Sequence, residues 1–174
     1  VRLKRMPDSQ MKYDLLITGA NGQLGRELQK VVERMGIRSL CLQKEQFDVS
    51  DEAVVEMLMS ENDFRWIINC AAITNLDWAE NNPKETFNVN AMGPQYLAVA
   101  ARKQGAGFIQ ISTDAVYGAE EELYFKTKDP ACPKSVYGSS KAKGEELATL
   151  EYDNVWIIRS SWLFGSFGSR FVNQ

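Results

Sequence analysis

The sequence has 174 residues, 44% of them hydrophobic, enough for one α/β domain with a real core. Its 20 Lys and Arg stand against 23 Asp and Glu, and a net charge of −3 offers no basic surface for nucleic acid or an anionic membrane. With no histidine, a zinc site or a Ser-His-Asp hydrolase is hard to build, and no metal site is expected.

Val1 to Gln10 are basic and polar without periodicity, and Met11 directly precedes the first apolar run, so residues 1–10 are expected to be a disordered leader without chemistry. From residue 11 to 174 a single domain is expected. Strands and helices alternate: a strand Tyr13 to Thr18, a helix Gln23 to Met35, a strand Arg38 to Leu42, a helix near Asp51 to Ser60, a strand Trp66 to Cys70. A long helix from about Pro83 to Gln104 follows, then a strand Gly107 to Ile111, a helix Val136 to Leu150 and a strand Val155 to Arg159. Such alternation demands parallel pairing through right-handed crossovers. The expectation is a Rossmann-type doubly wound α/β sheet with strand order 3-2-1-4-5.

Smaller features are read blandly. Met57, Met59 and Met92 fall in helical patterns as core filler, and Glu120-Glu121-Glu122 reads as a solvated loop. Cys41, Cys70 and Cys132 have no paired spacing, and the first two sit in apolar runs as small hydrophobes, as in a reducing compartment. No apolar run reaches the roughly 18 residues of a membrane span, and the start lacks a signal-peptide core. A cytoplasmic protein acting on small molecules is expected.

After the first strand comes GANGQLG, with glycines at 19, 22 and 25. Glycines there allow a tight turn and close approach of phosphate to backbone N–H groups, and the helix that follows aims its positive end at the anion. The loop Gly19, Asn21, Gly22, Gln23, Leu24 and Gly25 is therefore a candidate dinucleotide pyrophosphate site. Leu42-Gln43-Lys44 offers no acid for an unphosphorylated ribose, and Lys44 suits a 2′-phosphate, which favours NADPH over NADH. Asp48-Val49 either brackets the adenine or, in the case of Asp48, caps the next helix.

Tyr137 and Lys141 are four apart in a predicted helix, so both side chains lie on one face. A phenol that releases its proton near neutral pH needs its usual value near 10 lowered by about three units, roughly 4 kcal/mol. An ammonium about 4 Å away supplies that order of energy at an effective dielectric of about 20. Lys141 can serve Tyr137 in this way. Ser112-Thr113 ends the fourth strand at the edge where ligands collect in such sheets. Thr113 would bond a substrate carbonyl and the developing alkoxide, which Tyr137 would protonate.

These residues fall within ITGANGQLG from Ile17, FDVSD from Phe47, NCAAITNLDWAE from Asn69, STDAVYG from Ser112, YGSSKAKGEE from Tyr137 and RSSWLFG from Arg159. In that order they resemble the dTDP-4-dehydrorhamnose reductase family of extended short-chain dehydrogenase/reductases, over about Met11 to Gln174. The resemblance implies cofactor contacts at Gly22-Gln23-Leu24, Asp48-Val49 and Ala71-Ala72-Ile73. It also implies a catalytic triad of Thr113, Tyr137 and Lys141, with Thr113, Asp114 and Trp162 facing a nucleotide sugar. The implied reaction is NAD(P)H-dependent reduction of a dTDP-4-keto-6-deoxyhexose.

Family members are much longer, so most of the sugar-binding lobe is expected to be missing. Ile73, Trp78, Thr127 and Arg170 depart from the family pattern near the sugar side. Two other readings are a nucleotide-sugar epimerase or dehydratase, and a nonenzymatic NADP-binding regulatory subunit resembling the methionine adenosyltransferase beta subunit. Without a sixth strand, Val155 to Arg159 is expected to form an apolar edge able to self-associate, as in a homodimer.

Overall fold

The computed structural model describes residues 12–118 and 124–168, so the expectations for residues 1–10, for the Glu120 run and for Arg170 lie outside the described residues. Five parallel strands form one sheet: β1 (Leu15–Thr18), β2 (Ser39–Leu42), β3 (Trp66–Asn69), β4 (Gly107–Thr113) and β5 (Val155–Ser160). The helices are α1 (Gln23–Arg34), α2 (Glu52–Glu61), α3 (Leu76–Asn81), α4 (Pro83–Phe87), α5 (Gly93–Gln104) and α6 (Val136–Glu151). No helix among the described residues is long and apolar enough to cross a membrane.

The Rossmann-type class is as expected, but the strand order is β2-β1-β3-β4-β5, not 3-2-1-4-5. The cause is the side on which α2 lies. Leu15 and Ile17 of β1 pack with Val32 and Leu28 of α1 on one face of the sheet. Leu16 packs on the opposite face with Val55 and Met59 of α2, Leu97 of α5 and Ala148 of α6. A right-handed crossover through the opposite face must travel in the opposite direction along the sheet. The chain leaving β2 through α2 therefore passes over β1 and sets β3 on its far side, where Leu15 to Thr18 pair with Trp66 to Asn69.

The single helix expected from Pro83 to Gln104 is instead α4, a π turn (Asn88–Met92) and α5. Pro94 accounts for the break: it has no N–H for the Asn90 carbonyl, and its ring crowds that carbonyl. Met59 is buried as expected, but Met57 is 58% exposed. It lies two residues from both Val55 and Met59, which form the inward stripe of α2, and so points away from the core. Cys41 and Cys70 pack beside the Leu15–Ile17 cluster, and Cys132 is exposed. Among the described residues β5 lies at the end of the sheet, with Trp156 61% and Ile158 47% exposed on the face that α1 shares.

Candidate active site

β1 ends at Thr18 and the chain turns at Gly19 with φ +62°, where a Cβ would lie 2.6 Å from the Ala71 nitrogen. Side chains have neither the conformation nor the room there. At Gly25 a Cβ would overlap the Gly19 carbonyl oxygen and sit 2.7 Å from the Ala20 Cα, so α1 rests directly on the loop. Gln29 Nε2 braces it by donating to the Ala20 carbonyl at 2.6 Å. The α1 N-terminus begins at Gly22 with no side-chain cap and no acid in its first turn. An uncapped helix end behind a loop with glycines at 19, 22 and 25 fits the pyrophosphate of a dinucleotide.

The opposite wall is α6. Ser135 caps it by accepting the Gly138 N–H at 3.0 Å, and Glu80 accepts the Val136 N–H at 2.7 Å. Lys141, 4% exposed, donates from Nζ to the Ile111 carbonyl at 2.6 Å. Burial lowers its pKa to about 8, against a partial restoring pull from the Glu145 carboxylate. Thr113 is nearly buried; its Oγ1 accepts the Ala115 N–H at 3.2 Å and donates to Asp114 Oδ1 at 3.1 Å.

One cleft of about 570 Å³ lies between these walls at the C-terminal edge of the sheet. Gly22, Gln23, Leu24, Gly25 and Ala72 line one side, and Thr113, Asp114, Tyr137 and Lys141 the other. Trp162 lines it too, 69% exposed and held at φ +46°, a region unusual for a bulky side chain. A second hollow of about 650 Å³ lies on the outer side of α6 and holds none of the predicted site residues.

Gly19, Asn21, Asp48, Val49, Ala71 and Ile73 are not among the lining residues. Gly19 and Ala71 shape the turn, with the Ala71 N–H donating to Asn69 Oδ1 at 3.1 Å. The Val49 side chain is buried, within 3 Å of where a Gly93 Cβ would stand, which leaves its backbone for any ligand contact. Asp51, not Asp48, caps α2, accepting the Ala53 and Val54 N–H groups, so the capping alternative for Asp48 is corrected. Asp48 accepts Ser50 N–H and Oγ; burial pushes its carboxyl up, but these bonds outweigh it and hold the pKa below the usual value. Lys44 is exposed, its ammonium 3.8 Å from Glu85.

Three polar groupings around the cleft escaped the sequence reading. Under it runs a buried ladder across three strands: Thr18 Oγ1 donates to Asn69 Oδ1 at 2.5 Å, and Asn69 Nδ2 to Gln110 Oε1 at 2.8 Å. Polar residues inside the otherwise apolar WIIN and GFIQIST runs were the available signal. At the π turn, Asn90 accepts the Ile73 N–H at 2.8 Å, donates to the Ile73 carbonyl at 2.9 Å, and donates to Ser140 Oγ at 3.0 Å. It thereby fastens the loop after β3 to α6. The third grouping joins Glu145 to Ser112 and Arg159.

Comparison with known proteins agrees with this architecture. A family profile described as the RmlD substrate binding domain matches residues 11–174. The dTDP-4-dehydrorhamnose reductase of Streptomyces griseus is 39% identical over 159 residues, covering 90% of this chain and 52% of that protein. Its counterpart in Mycobacterium tuberculosis strain H37Rv is 40% identical over 164 residues, 91% of this chain and 53% of that protein. The crystal structure of Bacillus anthracis dTDP-4-dehydrorhamnose reductase in complex with NADP superposes with a TM-score of 0.89 at 34% identity, covering 94% of this chain and 58% of that one. The chain thus spans about half the length of the relatives it matches. With the match running through the glycine loop, the Tyr137–Lys141 helix and the strands between, the chain belongs to the RmlD substrate binding domain family.

Proposed function

We propose that the chain binds a reduced nicotinamide dinucleotide, NADPH ahead of NADH, and reduces the 4-keto group of a dTDP-6-deoxyhexulose to a dTDP-6-deoxysugar such as dTDP-rhamnose. The observation that carries this reading is that Thr113, Tyr137, Lys141 and the uncapped end of α1 share one cleft. When bound, the reduced nicotinamide supplies the hydride for the carbonyl carbon. Thr113 turns its hydroxyl from Asp114 to the carbonyl oxygen and holds it as negative charge develops. Tyr137 gives that oxygen its proton, and the Lys141 ammonium one turn along offsets the charge left on the phenolate. Gly22 to Gly25 present backbone N–H groups to the pyrophosphate.

Preference for NADPH rests on Lys44, just past β2, whose exposed pair with Glu85 exchanges readily for a 2′-phosphate. The sugar assignment rests on the names of the relatives. The reading is completed by a cytoplasmic setting and a homodimer through the β5 edge. Fluorescence titration of the chain with NADPH and NADH tests it first, and absence of binding by either refutes the glycine-loop assignment. Tyr137→Phe is expected to cut reduction of a dTDP-4-keto sugar by at least about 100-fold while leaving NADPH affinity unchanged. Undiminished reduction would remove Tyr137 from the chemistry.

A further inference from the structure

Behind the Tyr137–Lys141 pair, away from the cleft and along the second hollow, lies an ionic pair, Glu145 with Arg159. Glu145 lies one turn beyond Lys141 on α6, and its carboxylate is buried. It accepts Arg159 Nε at 3.0 Å and Arg159 Nη2 at 2.5 Å, while its Oε1 also accepts Ser112 Oγ. Arg159 Nη1 donates to the Tyr117 hydroxyl, which in turn donates to the Lys126 carbonyl at 3.1 Å. A well-packed apolar pair of similar volume often stabilises a fold at least as well. What an ionic pair adds is charge and direction.

Both are delivered to the site. Lys141 binds the Ile111 carbonyl and Glu145 binds Ser112, so α6 is tied to two successive residues of β4, and the next residue is Thr113. The Lys141 ammonium faces Tyr137 and Glu145 from its own helix, Cys70 from beyond β3 and the Ile111 carbonyl of β4, with Arg159 of β5 behind Glu145. Burial pushes the Cys70 thiol up to about 12, so it stays neutral and Glu145 supplies the negative charge.

We propose that Glu145, anchored by Arg159, is a positioning residue for the acid–base pair: it keeps the Lys141 ammonium charged and holds the Ser112–Thr113 end of β4 against α6. This rests on the assignment of Tyr137 and Lys141 to proton transfer.

The test is a carbon-13 NMR titration of the chain labelled at lysine, with the Lys141 resonance identified by its loss in Lys141→Met. In Glu145→Gln, which keeps the shape and the acceptor for Ser112 but removes the charge, the Lys141 midpoint is expected to fall by about one unit. An unmoved midpoint in the folded variant overturns the proposal. Should Arg159 left without its carboxylate prevent folding, Glu145→Gln/Arg159→Met removes both charges; because loss of the guanidinium cation itself raises the lysine midpoint, a smaller downward shift is expected there, and an unmoved or raised midpoint overturns the proposal. NADPH titration of the unsubstituted chain runs alongside. Failure to bind NADPH counts against the dinucleotide reading and leaves the lysine midpoint intact, so the two failures are distinguishable.

Discussion

Lys141 makes the folded chain less stable at neutral pH than its own shape would allow, and that cost has a pH signature. Burial lowers its pKa from 10.5 to about 8, a difference worth roughly 3 kcal/mol at about 1.36 kcal/mol per unit. The sign follows from proton counts: between those two values the unfolded chain holds the proton and the folded chain has released it, so stability rises with pH across that window. Below about 8 both states are charged and the full penalty is present. Replacement by Met keeps an unbranched apolar stem and removes the titration. The stability difference, Lys141 protein minus Lys141→Met, should therefore move in favour of lysine by about 2–3 kcal/mol between about pH 7 and about pH 10. Urea unfolding of both proteins at the two pH values measures it. The lost bond from Nζ to the Ile111 carbonyl contributes to each single value, and groups that titrate alike in both proteins cancel. A difference flat across that range would mean that Lys141 is not buried as a cation and would refute the reasoning.

Three further outcomes follow from the geometry. Gly25→Ala puts a methyl group into the Gly19 carbonyl and the Ala20 Cα, and should weaken NADPH binding at least about tenfold, equivalent to about 1.4 kcal/mol, in the same fluorescence titration; unchanged affinity would separate this loop from the cofactor. Asn90→Ala strips partners from the Ile73 N–H, the Ile73 carbonyl and Ser140 at once, and should cost about 2–3 kcal/mol in urea unfolding. Asp51→Ala removes the cap of α2 and should cost about 1 kcal/mol in the same assay with no effect on NADPH affinity.

Each of the five strands and the helices α1, α2 and α6 was legible to within about two residues, because apolar runs and 3.6-residue periodicity are local signals. Strand order was not. The stripe of Val55 and Met59 says that α2 buries a side, but nothing in it says which face of the sheet that side meets. In the site, spacing placed Tyr137 and Lys141 on one helix face, but what singled the pair out was the position of that helix after the fourth strand, whose end carries Ser112-Thr113. Asn90, Glu145 and Arg159 could not be found in this way, because a polar residue in a helix or edge strand reads as solvated until its partners are known. Those partners lie 17, 33 and 14 residues away in sequence.

The walls of the cleft differ in how firmly they are held, and the difference bears on what each recognises. Gly22 to Gly25 are set by backbone packing, and Thr113 and Lys141 by part-buried hydrogen bonds, so the groups proposed for pyrophosphate and proton transfer are preorganised before any ligand arrives. Trp162 and Leu163 line the cleft but stand exposed, and Trp156 and Ile158 of β5 are exposed as well. The paired register of Ile109 with Trp156 and Ile111 with Ile158 makes their face of the sheet a continuous apolar strip leading from β4 toward the cleft. The substrate contacts proposed for Trp162 would therefore depend on how this strip is covered, whereas the cofactor contacts proposed for α1 would not. Covering it should sharpen selection among sugars while leaving dinucleotide affinity nearly constant, a separation that KM for the sugar and Kd for NADPH would report independently.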